Sequence, residues 1–139
     1  MDIAKFNRRF KTDESKEIKG IEVEIGEGFF VTIARAGNSN AQRRMRELLS
    51  DPEVHAKQMA NVMDDATWDR IMLDVQSNCI LIGWRGLTDG DKEIPFSPEK
   101  AAELLQIKDF REKVLQVAGT QEYYRVTSIN GAAESLGKP

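Results

Sequence analysis

Residues 64–84, "DDATWDRIMLDVQSNCILIGW", decide how much of this chain is helix. The stretch begins polar and ends apolar, so it reads either as one long helix or as a helix followed by a strand. Trp68, Ile71, Met72, Val75, Cys79 and Ile82 recur mostly in steps of three and four. That spacing predicts a single amphipathic helix from about Ala66 to Ile82. Asp64 and Asp65 suit its start, by capping and by the helix dipole. Gly83 and Gly86 suit its end. Read this way, Trp84 closes a helix corner as a core residue, or faces a partner as an aromatic anchor.

Upstream lies the strongest β signal, "GIEVEIGEGFFVTIARAGN" (20–38). Ile21, Val23 and Ile25 alternate with Glu22 and Glu24, the period of a half-buried strand. "GEG" is a turn, and "FFVTIARA" is a second strand rich in aromatic and β-branched residues, Phe29 and Val31 among them. A two-stranded hairpin is marginal alone in water. It therefore packs on helices or extends by pairing with another copy.

Helical periods fill most of the rest. Asn38, Ser39 or Asn40 caps a helix whose face carries Ala41, Met45, Leu48 and Leu49. "SDPE" (50–53) starts a shorter one, with Pro52 at the first helical position and Glu53 placed for a capping box. Ser97 and Pro98 start another, with Ala101, Ala102, Leu104 and Leu105 inward, and Phe110, Val114, Leu115 and Val117 extend the pattern into a fifth. "QEYYRVTSI" (121–129) is a weaker helical stretch. The predicted fold is α+β and mostly α: one N-terminal β-hairpin packed on about five helices. Residues 1–19 read as a charged arm or linker, 20–130 as one globular domain and 131–139 as a flexible tail. In the arm, Ile3, Phe6 and Phe10 fall on one face of a short helix, and "KTDESKEIK" after it reads as a mobile linker. The three apolar residues pack on a neighbouring subunit or partner, or belong to a disordered tail.

The 139 residues favour one domain. A chain of this length buries about two thirds of its unfolded surface, so it needs no disulfide or metal to fold. The net charge of −3 argues against duplex nucleic acid, whose binding rests on neutralising phosphates. Cys79, the one cysteine, reads as a buried reduced thiol, which suits the cytosol. "MDIAKFNRRF" lacks a signal-peptide apolar core, and no apolar run approaches the ~20 residues that span a bilayer.

Chemistry finds few candidates. Asp89, Asp91 and Glu93 resemble the opening of a calcium loop. Ile94 stands where that loop needs glycine, however, and Lys100 where it needs a bidentate glutamate. A solvated turn at the corner between two helices is the expectation. His55 has no zinc-pattern companions. "GEG" lacks the Gly-Lys-Ser/Thr of a phosphate loop. Arg43, Arg44 and Arg46 read as a solvated face. The inventory points to a non-enzyme with no catalytic residue, metal or cofactor.

Taken in order, "IARAGN" (33–38), then "GWRGLTDGDKEIPFSPEKAAELL" (83–105), then a phenylalanine-bearing helix resemble the tail assembly chaperones of long-tailed, lambda-like siphophages. Trp84, Gly86, Asp89, Ile94, Pro95, Phe96, Ser97, Pro98 and Glu99 match that family's pattern in order, over a resemblance spanning about residues 20–118. The resemblance implies a protein that binds and solubilises the tape measure protein. It also implies recruitment of major tail protein to polymerise the tail tube, mainly through a longer product made by ribosomal frameshifting. Gly137-Lys138 fits the slippery codons of that shift. The implied location is the cytoplasm of the infected bacterium, outside the mature virion. The residues expected to serve partner binding or self-association are Ile3, Phe6, Phe10, Ile21, Val23, Phe29, Val31 and Trp84, in a homo-oligomer without nucleic acid or membrane. A structural or connector subunit of the tail is the alternative.

Overall fold

The computed structural model describes residues 1–126. Its elements, in chain order, are α1 (Ile3–Phe10), α2 (Glu14–Lys19), β1 (Ile21–Gly26), β2 (Phe29–Ile33), α3 (Ser39–Leu49), α4 (Pro52–Met59) and α5 (Asp65–Val75). A π-helical turn (Gln76–Ile80) follows, then β3 (Leu81–Arg85), β4 (Thr88–Asp89), β5 (Lys92–Glu93), α6 (Pro98–Leu104), α7 (Lys108–Ala118) and a 3₁₀ turn (Gln121–Tyr124). The class is α+β with helix dominant, and the five helices expected in the body are α3 to α7. The expected tail 131–139, with Gly137 and Lys138, lies outside the described residues, as do residues 127–129 of the weak helical stretch.

The stretch 64–84 differs from its periodicity. The helix stops at Val75, turns through the π segment, and Leu81–Arg85 becomes a strand. The steps of three and four hold as far as Cys79: Ile71, Val75 and Cys79 are all buried. Beyond that point sheet pairing overrides them. β2 lies between β1 and β3 in one antiparallel sheet. Val31 pairs with Trp84, Thr32 with Gly83 and Ile33 with Leu81, with a register shift that skips Ile82. The third strand gives the hairpin the support it lacks alone. The run "ILIGW" is short and apolar, which periodicity cannot distinguish from a buried helix end. Trp84 therefore sits on a strand, and the acidic turn that follows is a small β4–β5 hairpin rather than a corner between helices.

The inner face of the sheet meets the π turn and α7, and α3 and α6 pack on the π turn. Val31, Ile33, Leu81, Leu105 and Val114 have no exposed surface. On the outer face the Arg85 guanidinium lies 3.9 Å above the Phe30 ring. It also donates to both carboxylate oxygens of Glu22, at 3.0 and 2.8 Å. The outward glutamates of β1 each find a donor: Glu22 meets this cation two strands away, and Glu24 accepts from Gly28 N–H at 3.0 Å.

Six of the seven helices begin with a side chain that accepts a backbone N–H: Asp2, Asp13, Asn38, Asp51, Asp64 and Ser97. Asp51, not Ser50, caps α4; Ser50 closes α3. At Asp64 the Thr67 hydroxyl donates at 2.6 Å. With a backbone amide and Lys57, it holds the carboxyl at about 2. The folded value lies below the ordinary carboxylate value of about 4. The cap therefore favours the fold above pH ~4 and is lost as pH falls from there towards ~2. An NMR titration of the Asp64 carboxyl should show a midpoint near 2; a midpoint near 4 would mean the cap is not formed in solution.

The segment expected as a mobile linker carries α2, and it is tied to the other end of the described chain. Thr12 and Arg125 form an antiparallel bridge. Asp13 N–H donates to Tyr124 O at 2.7 Å, and Val126 N–H to Lys11 O at 3.2 Å. Arg125 is 5% exposed, donates to Phe10 O at 3.2 Å and Gln121 Oε1 at 3.1 Å, and has its Nε unpartnered among the described residues. Phe10 ends α1, so this cation meets the carbonyl end of a helix, where the dipole favours it. Nearby, Arg35 donates to Glu17 at 2.6 Å. Tyr124 is buried with its hydroxyl on Ile33 O at 3.0 Å, and burial pushes its phenol above the usual range.

Candidate partner-binding groove

Three side chains hold α3, α5 and α7 around a concavity. Asn38 is buried; its Oδ1 accepts from Ala41 N–H at 3.0 Å to start α3, while its Nδ2 donates to Cys79 O at 3.1 Å in the π turn. Arg44 reaches from α3 to Asp74 on α5 in a two-bonded pair of 2.6 and 3.0 Å, and that carboxylate pushes the guanidinium further up. Arg111 on α7 donates to Gln76 at 2.8 Å and to Asp69 at 3.3 Å. The two arginine ties are partly exposed, so their role is to fix spacing more than to add stability.

Between them lies a groove of about 450 Å³, floored by Ala41, Met45, Met72, Val75, Ile80 and Leu115. It runs on, through shared Met72, Gln76 and Leu115, into a shallower ledge of about 580 Å³ edged by Asp65, Trp68, Asp69 and Arg111. Trp68 remains 45% exposed and Leu115 37%, so the floor is open to a partner. An apolar trough with two methionines fits the apolar face of an amphipathic helix, because thioether chains reshape to varied contacts. Burial pushes the Cys79 thiol up and so away from reactivity. Among the described residues no group of three or more His, Cys, Asp and Glu is placed to hold a metal ion. No helix among them is long and apolar enough to cross a membrane.

A family model described as YdaY prophage protein matches residues 29–134. The chain belongs to the YdaY prophage protein family. It is thus a phage-derived protein. Neither a curated protein nor a solved structure matches it. The YdaY match contains every residue that lines the groove and its ledge, and begins after α1, α2 and β1.

The residues singled out from sequence fall into two sets in this YdaY-family chain. Ile3, Phe6 and Phe10 stand together on α1, 71%, 48% and 54% exposed, with the two phenylalanine rings 5.0 Å apart. Ile21, Val23, Phe29, Val31 and Trp84 belong to the sheet. Val23 and Val31 pair across β1 and β2 and are buried. Trp84 stands edge-on to Phe96 at 4.9 Å and to Phe29 at 6.4 Å, and its Nε1 donates to Ile94 O at 2.9 Å. The groove set, Met45, Trp68, Met72 and Leu115, was read from sequence only as inward helix faces. A helical stripe does not say whether a neighbour covers it. Methionine on two facing stripes was the available signal.

Proposed function

We propose that this prophage protein is a tail assembly chaperone that holds an amphipathic segment of the tape measure protein in the α3/α5/α7 groove. It acts by binding and shielding, and catalyses no bond change. Major tail protein would be recruited mainly through a longer frameshifted product, in the cytoplasm of the infected bacterium and outside the mature virion. The observation that carries this reading is the open apolar floor in a chain of phage origin. Helix-in-groove recognition needs a trough with adaptable side chains and a polar rim, and both are present. The sequence pattern from Trp84 to Glu99 supports the same reading.

Co-expression tests it. The wild-type chain should keep tape measure protein soluble and co-purify with it. Met45→Glu combined with Leu115→Glu should reduce capture at least tenfold, about 1.4 kcal/mol, while circular dichroism stays unchanged. Tape measure that stays insoluble beside the wild-type chain would overturn the proposal. So would stoichiometric recovery of this chain from purified virions by mass spectrometry, which would make it a structural or connector subunit.

A further inference from the structure

We infer that the groove is closed, in the free protein, by α1 of a second copy. This deepens the proposed function and rests on the groove being a helix-binding trough. Two unpartnered apolar surfaces occur on one chain and complement each other. No residue of α1 is buried. Its apolar stripe, Ile3, Phe6 and Phe10, has the i, i+3, i+7 spacing by which helices enter grooves. The stripe spans ~10 Å, and the α5 wall from Trp68 to Val75 runs ~10 Å as well, at 1.5 Å per residue. The charges match as well. α1 and its cap carry Lys5, Arg8, Arg9 and Lys11 against the single acid Asp2. The ledge carries Asp65 and Asp69 against the one cation Arg111, which is 22% exposed to the 69% of Asp69, while Arg46 lines the α3 side of the groove away from this end. A basic helix laid on the Trp68 end of the groove sets its cations beside those carboxylates.

The occupant is a second copy rather than the chain's own arm. The end of α1 is fixed: Phe10 O is held by Arg125, Lys11 O by Val126, and Asp13 N–H by Tyr124. Those ties hold α1 with none of its residues buried, and swinging it back into its own groove would break them. A copy in solution needs no such rearrangement. In a reciprocal pair each arm covers the other's trough, and a tape measure helix gains access by displacing α1. The arm thereby keeps methionine, tryptophan and phenylalanine surfaces out of water until a client arrives.

Analytical ultracentrifugation of the full chain across a concentration series tests the inference. Wild type should self-associate. Phe6→Glu with Phe10→Glu, and separately Leu115→Glu, should each weaken association at least tenfold without change in circular dichroism. A copy carrying Phe6→Cys should form a disulfide with a copy carrying Leu115→Cys. Three results would each overturn it: a wild-type monomer throughout, association indifferent to the α1 variant, or a Phe6→Cys/Leu115→Cys chain that cross-links only within itself. The α1 variant keeps an intact groove and should still capture tape measure protein. Capture without self-association in the wild type therefore sinks only this inference. Self-association without capture sinks only the chaperone reading.

Discussion

Replacing Gly86 by alanine should destabilise the protein by about 4 kcal/mol. Gly86 follows β3 at φ +83°, a left-handed backbone that costs a residue with a side chain about 1–3 kcal/mol. Space is the second penalty. A Cβ there would lie 2.0 Å from Gly28 O, a backbone atom of the β1–β2 turn that cannot rotate aside. Forcing the two turns apart costs about 1–3 kcal/mol more, as overpacking does elsewhere. The whole fold is held by only about 5–15 kcal/mol. Urea denaturation should show a lower midpoint with an unchanged slope. A loss under about 1 kcal/mol would show that the turns do not meet so closely in solution.

Trp84→Ala should cost about 3–5 kcal/mol, the range for truncating a large packed aromatic. Its ring joins β3 to Phe29 on β2 and to Phe96 before α6, and its Nε1–H satisfies Ile94 O. Removing it leaves a hole beside two rings and strips that carbonyl of its donor. The midpoint of thermal unfolding should fall by roughly 10 °C or more for a chain of this size. Trp84→Phe should recover most of the packing and none of the hydrogen bond. A neutral Trp84→Ala would place the indole outside the core, as a surface anchor for a partner.

Trp84 also shows where sequence reading worked and where it stopped. Its packing was one of two readings the sequence left open, the other being a partner-facing anchor; the ring stands against Phe29 and Phe96. Its element was not legible. The helical steps through Val75 and Cys79 are real, and nothing local announces that β2 needs a partner on its far side. That demand comes from residues fifty positions earlier. The hairpin was legible because strict alternation in β1 has one cause, a face against the core and a face in water. The arm's apolar stripe was legible in its i, i+3, i+7 spacing, but no core face explains it, since none of its residues is buried. α2 was not legible: "DESKEIK" carries one apolar residue, Ile18, and the ties that order it lie at Arg125 and Tyr124, far along the chain. The groove was half legible. Met45, Met72 and Leu115 announce an inward face, but the vacancy beside them depends on how three helices are spaced by Asn38, Arg44 and Arg111.

The tie between Arg125 and Phe10 joins residues 115 positions apart. Translation therefore makes the arm first and its anchor near the last of the described residues. While the ribosome is still adding α3 to α7, the stripe of Ile3, Phe6 and Phe10 is already synthesised and has nothing to hold it. Closing so long a loop costs little more than closing a short one, since the entropy grows only with the logarithm of length. The delay is in time, not free energy: the nascent chain carries an unclamped arm until Arg125 leaves the tunnel.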